Sequence, residues 1–125
     1  MMFEATVTVN IAAAHHLRGY RGKCENVHGH NYKVEATVGT EELDQTGLSL
    51  DFGLLREKLG KVADRFDHAD LNGLQEFAEL NPSSENMARV IYRGLAEALA
   101  GDRVELLAIR VWETEGACVT YHERR

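Results

Sequence analysis

Two stretches in which apolar and polar residues strictly alternate constrain the fold of this chain most. Within residues 3–12, one face carries Phe3, Ala5, Val7, Val9 and Ile11. Within residues 28–40, one face carries Tyr32, Val34, Ala36 and Val38. A period of two is typical of a strand that buries one face. Residues 17–27, which are polar and include two glycines, are therefore predicted to form the loop between two strands.

The rest of the chain predicts two helices and a second hairpin. Residues 44–47 are interpreted as a turn, and residues 48–52 as a short edge strand. Asp51 is placed to cap a first helix, whose apolar stripe comprises Leu55, Leu59, Val62 and Phe66. Residues 81–85 (NPSSE) are typical of a helix start, and the stripe that follows comprises Met87, Val90, Ile91, Ala98 and Leu99. Residues 104–114 and 117–123 predict two strands joined by a tight turn at 115–116.

This order of elements indicates an α+β fold. We expect a four-stranded antiparallel sheet with two helices on one face, in the order strand, strand, helix, helix, strand, strand. The chain has 125 residues, a single proline and no low-complexity tract, which favours one domain over residues 1–125. Exposed sheet edges invite pairing with other copies, so we expect a homo-oligomer.

Charge and composition exclude some partners. The formal net charge of −6 argues against a nucleic-acid binder, which needs a basic face. The N-terminal residues lack the basic start and apolar run of a signal peptide, and no apolar stretch is long enough to span a membrane. We therefore expect a cytoplasmic protein without a membrane partner, in which Cys24 and Cys118 are reduced.

Histidines concentrated in one segment predict a metal site. His28 and His30 form an H-x-H pair on a predicted strand, so both imidazoles project from one face, about 6–7 Å apart along the backbone. His15 ends the preceding strand and is expected to be their neighbour across the hairpin. Three neutral imidazoles favour zinc and leave a coordination position open, as in catalytic sites. The alternative is three ordinary surface or core histidines; His16 and His122 are assigned to solvent or structure.

Four further residues are candidates for chemistry. Cys24 precedes the H-x-H pair and is a fourth ligand, a reactive thiolate beside the metal, or an ordinary small buried residue. Asp67 adjoins His68, and a carboxylate beside an imidazole can fix its tautomer and raise its basicity. Glu113, near the end of a predicted strand, could accept two N–H groups from a ligand. For each of these residues a solvated or structural role is the alternative.

Six segments together resemble one enzyme family, the 6-pyruvoyltetrahydropterin synthase and 6-carboxytetrahydropterin synthase group. They occur in the family's order over nearly the whole chain: AAHHL (13–17), CENVHGHNY (24–32), LSLDF (48–52), FDH (66–68), NPSSE (81–85) and WET (112–114). Three residues separate Cys24 from His28. That short spacing is similar to the carboxy-forming bacterial enzymes of the queuosine pathway, whereas the pyruvoyl-forming animal enzymes usually carry an insertion there.

The resemblance implies a T-fold subunit that assembles into a hexamer of two trimers, with active sites between subunits. It implies zinc on three residues, His15, His28 and His30. It further implies that Cys24 is the catalytic base, that Asp67 and His68 form a proton relay supplied by a neighbouring subunit, and that Glu113 anchors the guanidine-like edge of the pterin.

The activity implied by the resemblance is a lyase reaction on a reduced pterin. The substrate would be 7,8-dihydroneopterin triphosphate, and the products 6-carboxy-5,6,7,8-tetrahydropterin, acetaldehyde and triphosphate. Arg18, Arg21 and Lys23, clustered in one loop, are expected to steer the triphosphate, with a solvated loop as the alternative. Two other functions stay open: the pyruvoyl-forming activity, and a non-catalytic module that binds pterin or metal.

Overall fold

The computed structural model describes residues 2–19 and 26–123. Residues 20–25, which include Arg21, Lys23 and Cys24, lie outside the described part, so the hypotheses about these three side chains stay predictions. The elements, in chain order, are β1 (Phe3–His15), β2 (His28–Thr40), α1 (Phe52–Ala63), β3 (Ala69–Asp70), α2 (Ser84–Ala98), β4 (Glu105–Thr114) and β5 (Ala117–Tyr121). Two short 3₁₀ turns, Leu71–Gly73 and Gln75–Phe77, lie between β3 and α2.

The sheet is five-stranded and mixed, in the order β3-β1-β2-β4-β5, which corrects the expected four-stranded antiparallel sheet. The additional strand, β3, runs parallel to β1 and pairs with Ala13 and Ala14 alone. A strand of two residues has no alternation that a sequence could display. It forms because the polypeptide is held against β1 just before it, where the His68 N–H donates to the Ala12 carbonyl oxygen (2.6 Å).

The edge strand predicted at residues 48–52 is wrong, because residues 48–51 are irregular and Phe52 already begins α1. Asp51 caps α1 as expected: its carboxylate accepts the Gly53 N–H at 2.7 Å. Ser83 caps α2 in the same way, through the Asn86 N–H. Both caps satisfy backbone donors that have no partner inside the helix, which is why these residues begin the helices.

Both helices pack against one face of the sheet, and the core lies between the two layers. The apolar side chains predicted for β2 are all fully buried, as are Leu55 and Leu59 of α1. Two residues that the sequence predicts to be buried are exposed instead. Phe3, the first residue of β1, is 47% exposed, and Ala98 is exposed in the last turn of α2, where Leu95 is buried instead.

The sheet ends in two open edges. In the described part of the chain, β3 covers only the last residues of β1, so residues 3–12 have no strand on their outer side. β5 forms the opposite edge. Unpaired edges of this length are templates for pairing with another chain. Within residues 2–19 and 26–123, neither helix is long and apolar enough to span a bilayer.

Candidate active site

Three histidines converge at the loop end of the β1–β2 hairpin. The antiparallel register pairs His15 with His28, and Ala13 with His30. All three imidazoles lie on the helix-facing side, with ring centroids 4.5, 5.2 and 4.9 Å apart. The neighbour relation expected from the sequence is therefore observed.

Backbone carbonyl groups determine the tautomers of two of these rings. His15 Nδ1 lies 2.7 Å from the Pro82 carbonyl oxygen, and His28 Nδ1 lies 2.7 Å from that of Asn26. A carbonyl oxygen only accepts, so both Nδ1 atoms carry the hydrogen. The two Nε2 atoms lie 2.9 Å apart, and when both rings are neutral their lone pairs face each other. A bound cation between them would turn this repulsion into attraction, and such outer hydrogen bonds are typical of metal-ligating histidines.

His30 adds a third nitrogen to the cluster. Its Nε2 atom is buried and has no hydrogen-bond partner among the described residues. Burial lowers the pKa of His30, an effect that the Glu113 carboxylate partly opposes and that His15 and His28 reinforce. The ring is therefore poised to be neutral. A buried ring nitrogen that makes no hydrogen bond is costly unless a ligand binds it.

Glu113 reaches the same cluster through a β-bulge. In the β4–β5 pairing, Trp112 opposes Cys118 and Thr114 opposes Ala117, so Glu113 is the unpaired residue between them. Bulges re-aim side chains and are common beside active sites. The Glu113 Oε1 atom lies 3.4 Å from the Nε2 atoms of both His15 and His30.

These four side chains form a group that could hold a metal ion, with their donor atoms all within 4.8 Å of one another. Imidazole nitrogens with one carboxylate oxygen suit zinc and other first-row divalent ions better than magnesium or calcium. The residues present thus fit the metal that the sequence analysis expected.

Tyr32 contacts the histidine cluster from the protein core. It is fully buried, and its hydroxyl oxygen lies 3.3 Å from His15 Nδ1. Burial, and then the Glu113 carboxylate, raise the pKa of Tyr32, so its hydroxyl stays protonated. The strand pattern predicts only that Tyr32 belongs to the core. Its contact with the cluster could have been predicted from its position, two residues after His30 on the same strand face.

A cavity of about 220 Å³ adjoins the cluster. His15 and Glu113 line one side of it, and Ser84 and Glu85, at the start of α2, line the other. Cys118 is also in its wall. The Ser84 hydroxyl oxygen is buried without a hydrogen-bond partner among the described residues. The sequence pattern of this part of α2 indicates only a helix start and does not predict its place in the cavity.

Asp67 and His68 lie at the β1 edge, where His68 and His30 both line one open cavity. Asp67 Oδ1 accepts the Ala12 N–H (2.9 Å) and lies 3.1 Å from His68 Nδ1. The Ala12 N–H is the main reason why the pKa of Asp67 is lowered, and His68 adds to it. The His68 side chain is 83% exposed, and its backbone has a φ of 57°, which is rare for a residue other than glycine. Among the described residues, no hydrogen bond or ion pair joins this pair to the cluster.

Two further predicted residues in the described part of the chain, Arg18 and His16, have hydrogen-bond partners within it. The Arg18 guanidinium donates to the carbonyl oxygens of Phe77 (2.6 Å) and Leu80 (2.7 Å), and so braces a loop. His16 is held by Asn72 through its backbone N–H. The Arg18 guanidinium thus already has structural partners.

Comparison with known proteins agrees with this geometry. The profile described as 6-pyruvoyl tetrahydropterin synthase matches residues 4–124. The chain is 36% identical over 95 residues to a Bacillus subtilis protein named 6-carboxy-5,6,7,8-tetrahydropterin synthase, a match covering 72% of this chain and 63% of that one. An Archaeoglobus fulgidus protein, named as a putative synthase of the same kind, is 36% identical over 91 residues (73% and 74%).

A solved structure of the Caenorhabditis elegans 6-pyruvoyl tetrahydropterin synthase superposes with a TM-score of 0.88 at 26% identity, covering 99% of this chain and 97% of that one. A mixed sheet with two helices on one face and a histidine cluster at the hairpin end thus define a T-fold pterin-synthase domain. The chain belongs to the 6-pyruvoyl tetrahydropterin synthase family, which confirms the resemblance. The match spans less than two thirds of the Bacillus protein's own length.

Proposed function

We propose that this protein is a zinc-dependent lyase that converts 7,8-dihydroneopterin triphosphate to 6-carboxy-5,6,7,8-tetrahydropterin, acetaldehyde and triphosphate in queuosine biosynthesis. The observation that carries the proposal is the convergence of His15, His28 and His30 in a member of this family. The names of the bacterial and archaeal relatives support the carboxy-forming reaction.

The three imidazoles would hold the zinc through their Nε2 atoms, since carbonyl groups engage Nδ1 of His15 and His28. When bound, the ion supplies Lewis acidity that makes side-chain hydroxyl groups and adjacent C–H bonds more acidic. The protein's part is to hold the rings in the correct orientation. The Pro82 carbonyl oxygen and the Tyr32 hydroxyl, which both lie near His15 Nδ1, serve that purpose.

The pterin ring would bind in the cavity beside the cluster, with the Glu113 carboxylate accepting N–H groups of its guanidine-like edge. The unpartnered Ser84 hydroxyl supports this location, because a heterocycle with several donors and acceptors would satisfy it. The triphosphate would be steered by Arg21 and Lys23 rather than by Arg18, whose guanidinium already has carbonyl partners.

Proton transfer would be divided between two groups. Cys24 is assigned as the base that removes a proton from the pterin side chain, in the form of a thiolate whose pKa a nearby metal would lower. Asp67 and His68 are assigned as the relay that moves a second proton. Because His68 is exposed at a sheet edge, it is available to the active site of a neighbouring copy.

The open edges support an assembly in which sites form between subunits. The free side of β1 and the outer side of β5 can pair with other copies, and we propose a homohexamer built as a dimer of trimers in the cytoplasm. Such pairing would bring the Asp67–His68 pair of one copy towards the cluster of another. It would also cover the exposed Phe3.

The test is mass spectrometry of the product that the zinc-loaded protein forms from 7,8-dihydroneopterin triphosphate. The proposal predicts 6-carboxytetrahydropterin with acetaldehyde and triphosphate in equal amounts. Cys24→Ala should abolish turnover while zinc content stays unchanged, and His122→Ala, a change at an exposed histidine, should leave turnover intact. Unaltered turnover of the Cys24→Ala variant would contradict the assigned base.

The second candidate is the pyruvoyl-forming activity, which the C. elegans structure favours by its name and its close superposition. Triphosphate release without acetaldehyde, and a pyruvoyl product, would assign the protein to that reaction. Binding of zinc and pterin without any turnover would instead support a non-catalytic module.

A further inference from the structure

We propose that Glu113 is the fourth ligand of the metal while no substrate is bound, so that the resting site is a closed His₃Glu set. The inference deepens the proposed function and rests on it, because the metal itself is part of that proposal. It differs from the anchoring role, in which the carboxylate contacts only the pterin.

The distances fit a tetrahedral site. Zinc bonds of about 2.0–2.1 Å to nitrogen and oxygen give ligand–ligand separations of roughly 3.3–3.4 Å. Glu113 Oε1 lies 3.4 Å from the Nε2 atoms of both His15 and His30. The separation between the Nε2 atoms of His15 and His28 is shorter, at 2.9 Å, so a small rotation of the His28 ring would be needed.

The charges around Glu113 also favour a bound cation. Its ion-pair contacts within the described part of the chain are the imidazoles of His15 and His30 alone. His15 Nδ1 already lies 2.7 Å from the Pro82 carbonyl oxygen, so Nε2 is the His15 nitrogen that faces the carboxylate. A divalent ion between the carboxylate and these ring nitrogens would balance the negative charge of Glu113.

The backbone of the β4–β5 hairpin positions Glu113 beside the histidines. It is the unpaired residue of the β4–β5 bulge, and 35% of its side chain is exposed. Glu115 is two residues further on, in the hairpin turn, and is exposed away from the histidines, beside Trp112 and Lys33. Glu115 thus offers a matched control with the same charge on the same hairpin.

This arrangement has a consequence for substrate binding. A carboxylate oxygen that ligates the metal is not free to accept an N–H group of the pterin. On the proposed function, the pterin therefore draws Glu113 off the ion, and the coordination position opens only when the substrate is in place. The site would then be closed to water and other ligands between turnovers.

The experiment compares zinc affinity, by chelator competition, in the full-length wild type, Glu113→Gln and Glu115→Gln. Glu113→Gln should weaken zinc binding by roughly 100-fold. This is at or above the largest loss of metal affinity expected when the mutated residue only orients a ligand. Glu115→Gln should leave zinc affinity unchanged. A second readout is the visible spectrum of the cobalt(II)-loaded protein. The wild type should show an intense four-coordinate spectrum that Glu113→Gln weakens, as water enters the site.

Equal zinc affinities and identical cobalt spectra for the two glutamine variants would overturn the proposal. So would a thiolate-to-cobalt charge-transfer band in the wild type that disappears in Cys24→Ala, because the fourth ligand would then be the cysteine. This second outcome does not depend on how well Glu113→Gln folds. The product assay decides the proposed function separately, since turnover can persist whichever group closes the resting site.

Discussion

Zinc should stabilise the folded chain by an amount that can be calculated, because only the folded hairpin brings His15 and His28 within reach of one ion. The two residues are 13 positions apart in the sequence, yet their Nε2 atoms are 2.9 Å apart. A ligand that binds only the folded state at 100 times its Kd raises the free energy of unfolding by about 2.7 kcal/mol. For 125 residues the unfolding entropy is about 0.26 kcal/mol per kelvin. The expected rise in Tm is therefore about 10 °C.

The assay is differential scanning calorimetry at one fixed protein concentration, because association also shifts Tm. His28→Ala leaves two imidazoles and should lose most of the zinc-induced shift. Without metal, the same change should alter Tm little, since it removes a lone pair that faces that of His15. Magnesium should give no shift, because it prefers oxygen ligands. A wild-type Tm that saturating zinc leaves unmoved, or an equal shift in His28→Ala, would refute the reasoning.

Further predictions concern the Asp67–His68 pair. His68→Gly should be more stable than His68→Ala by about 1 kcal/mol in urea unfolding, because only glycine adopts a φ of 57° without strain; equal midpoints would argue against strain at this position. The folded pKa of Asp67 is lowered, so its contribution to stability is present above the unfolded value of about 3.9 and is lost as pH falls through the folded value. In Asp67→Asn, the free energy of unfolding should therefore fall less steeply as the pH is lowered. Urea midpoints at a series of acidic pH values measure this dependence. An unchanged slope would contradict this assignment.

The sequence predicted the parts of the site that depend on strand periodicity. Alternation in β1 and β2 was enough to place Tyr32 in the core and to put His28 and His30 on one face. The hairpin connection then implied that His15 would be their neighbour, and the register confirms it. Local patterns of this kind determine which face a side chain occupies before any tertiary contact forms.

The sequence could not predict features that arise from contacts between distant segments. The Pro82 carbonyl that determines the tautomer of His15 comes from a loop 67 residues away. β3 has no pattern of its own and depends on a hydrogen bond to Ala12. The bulge that leaves Glu113 unpaired is a property of how β4 and β5 pair, and neither strand shows it alone.

X-ray absorption spectroscopy at the zinc edge of the zinc-loaded protein tests the central claim most directly. If three neutral imidazoles bind the ion through Nε2, the spectrum will show nitrogen and oxygen neighbours near 2.0–2.1 Å, together with the outer-shell scattering of three imidazole rings. A spectrum dominated by sulfur, or one without imidazole scattering, would contradict the account.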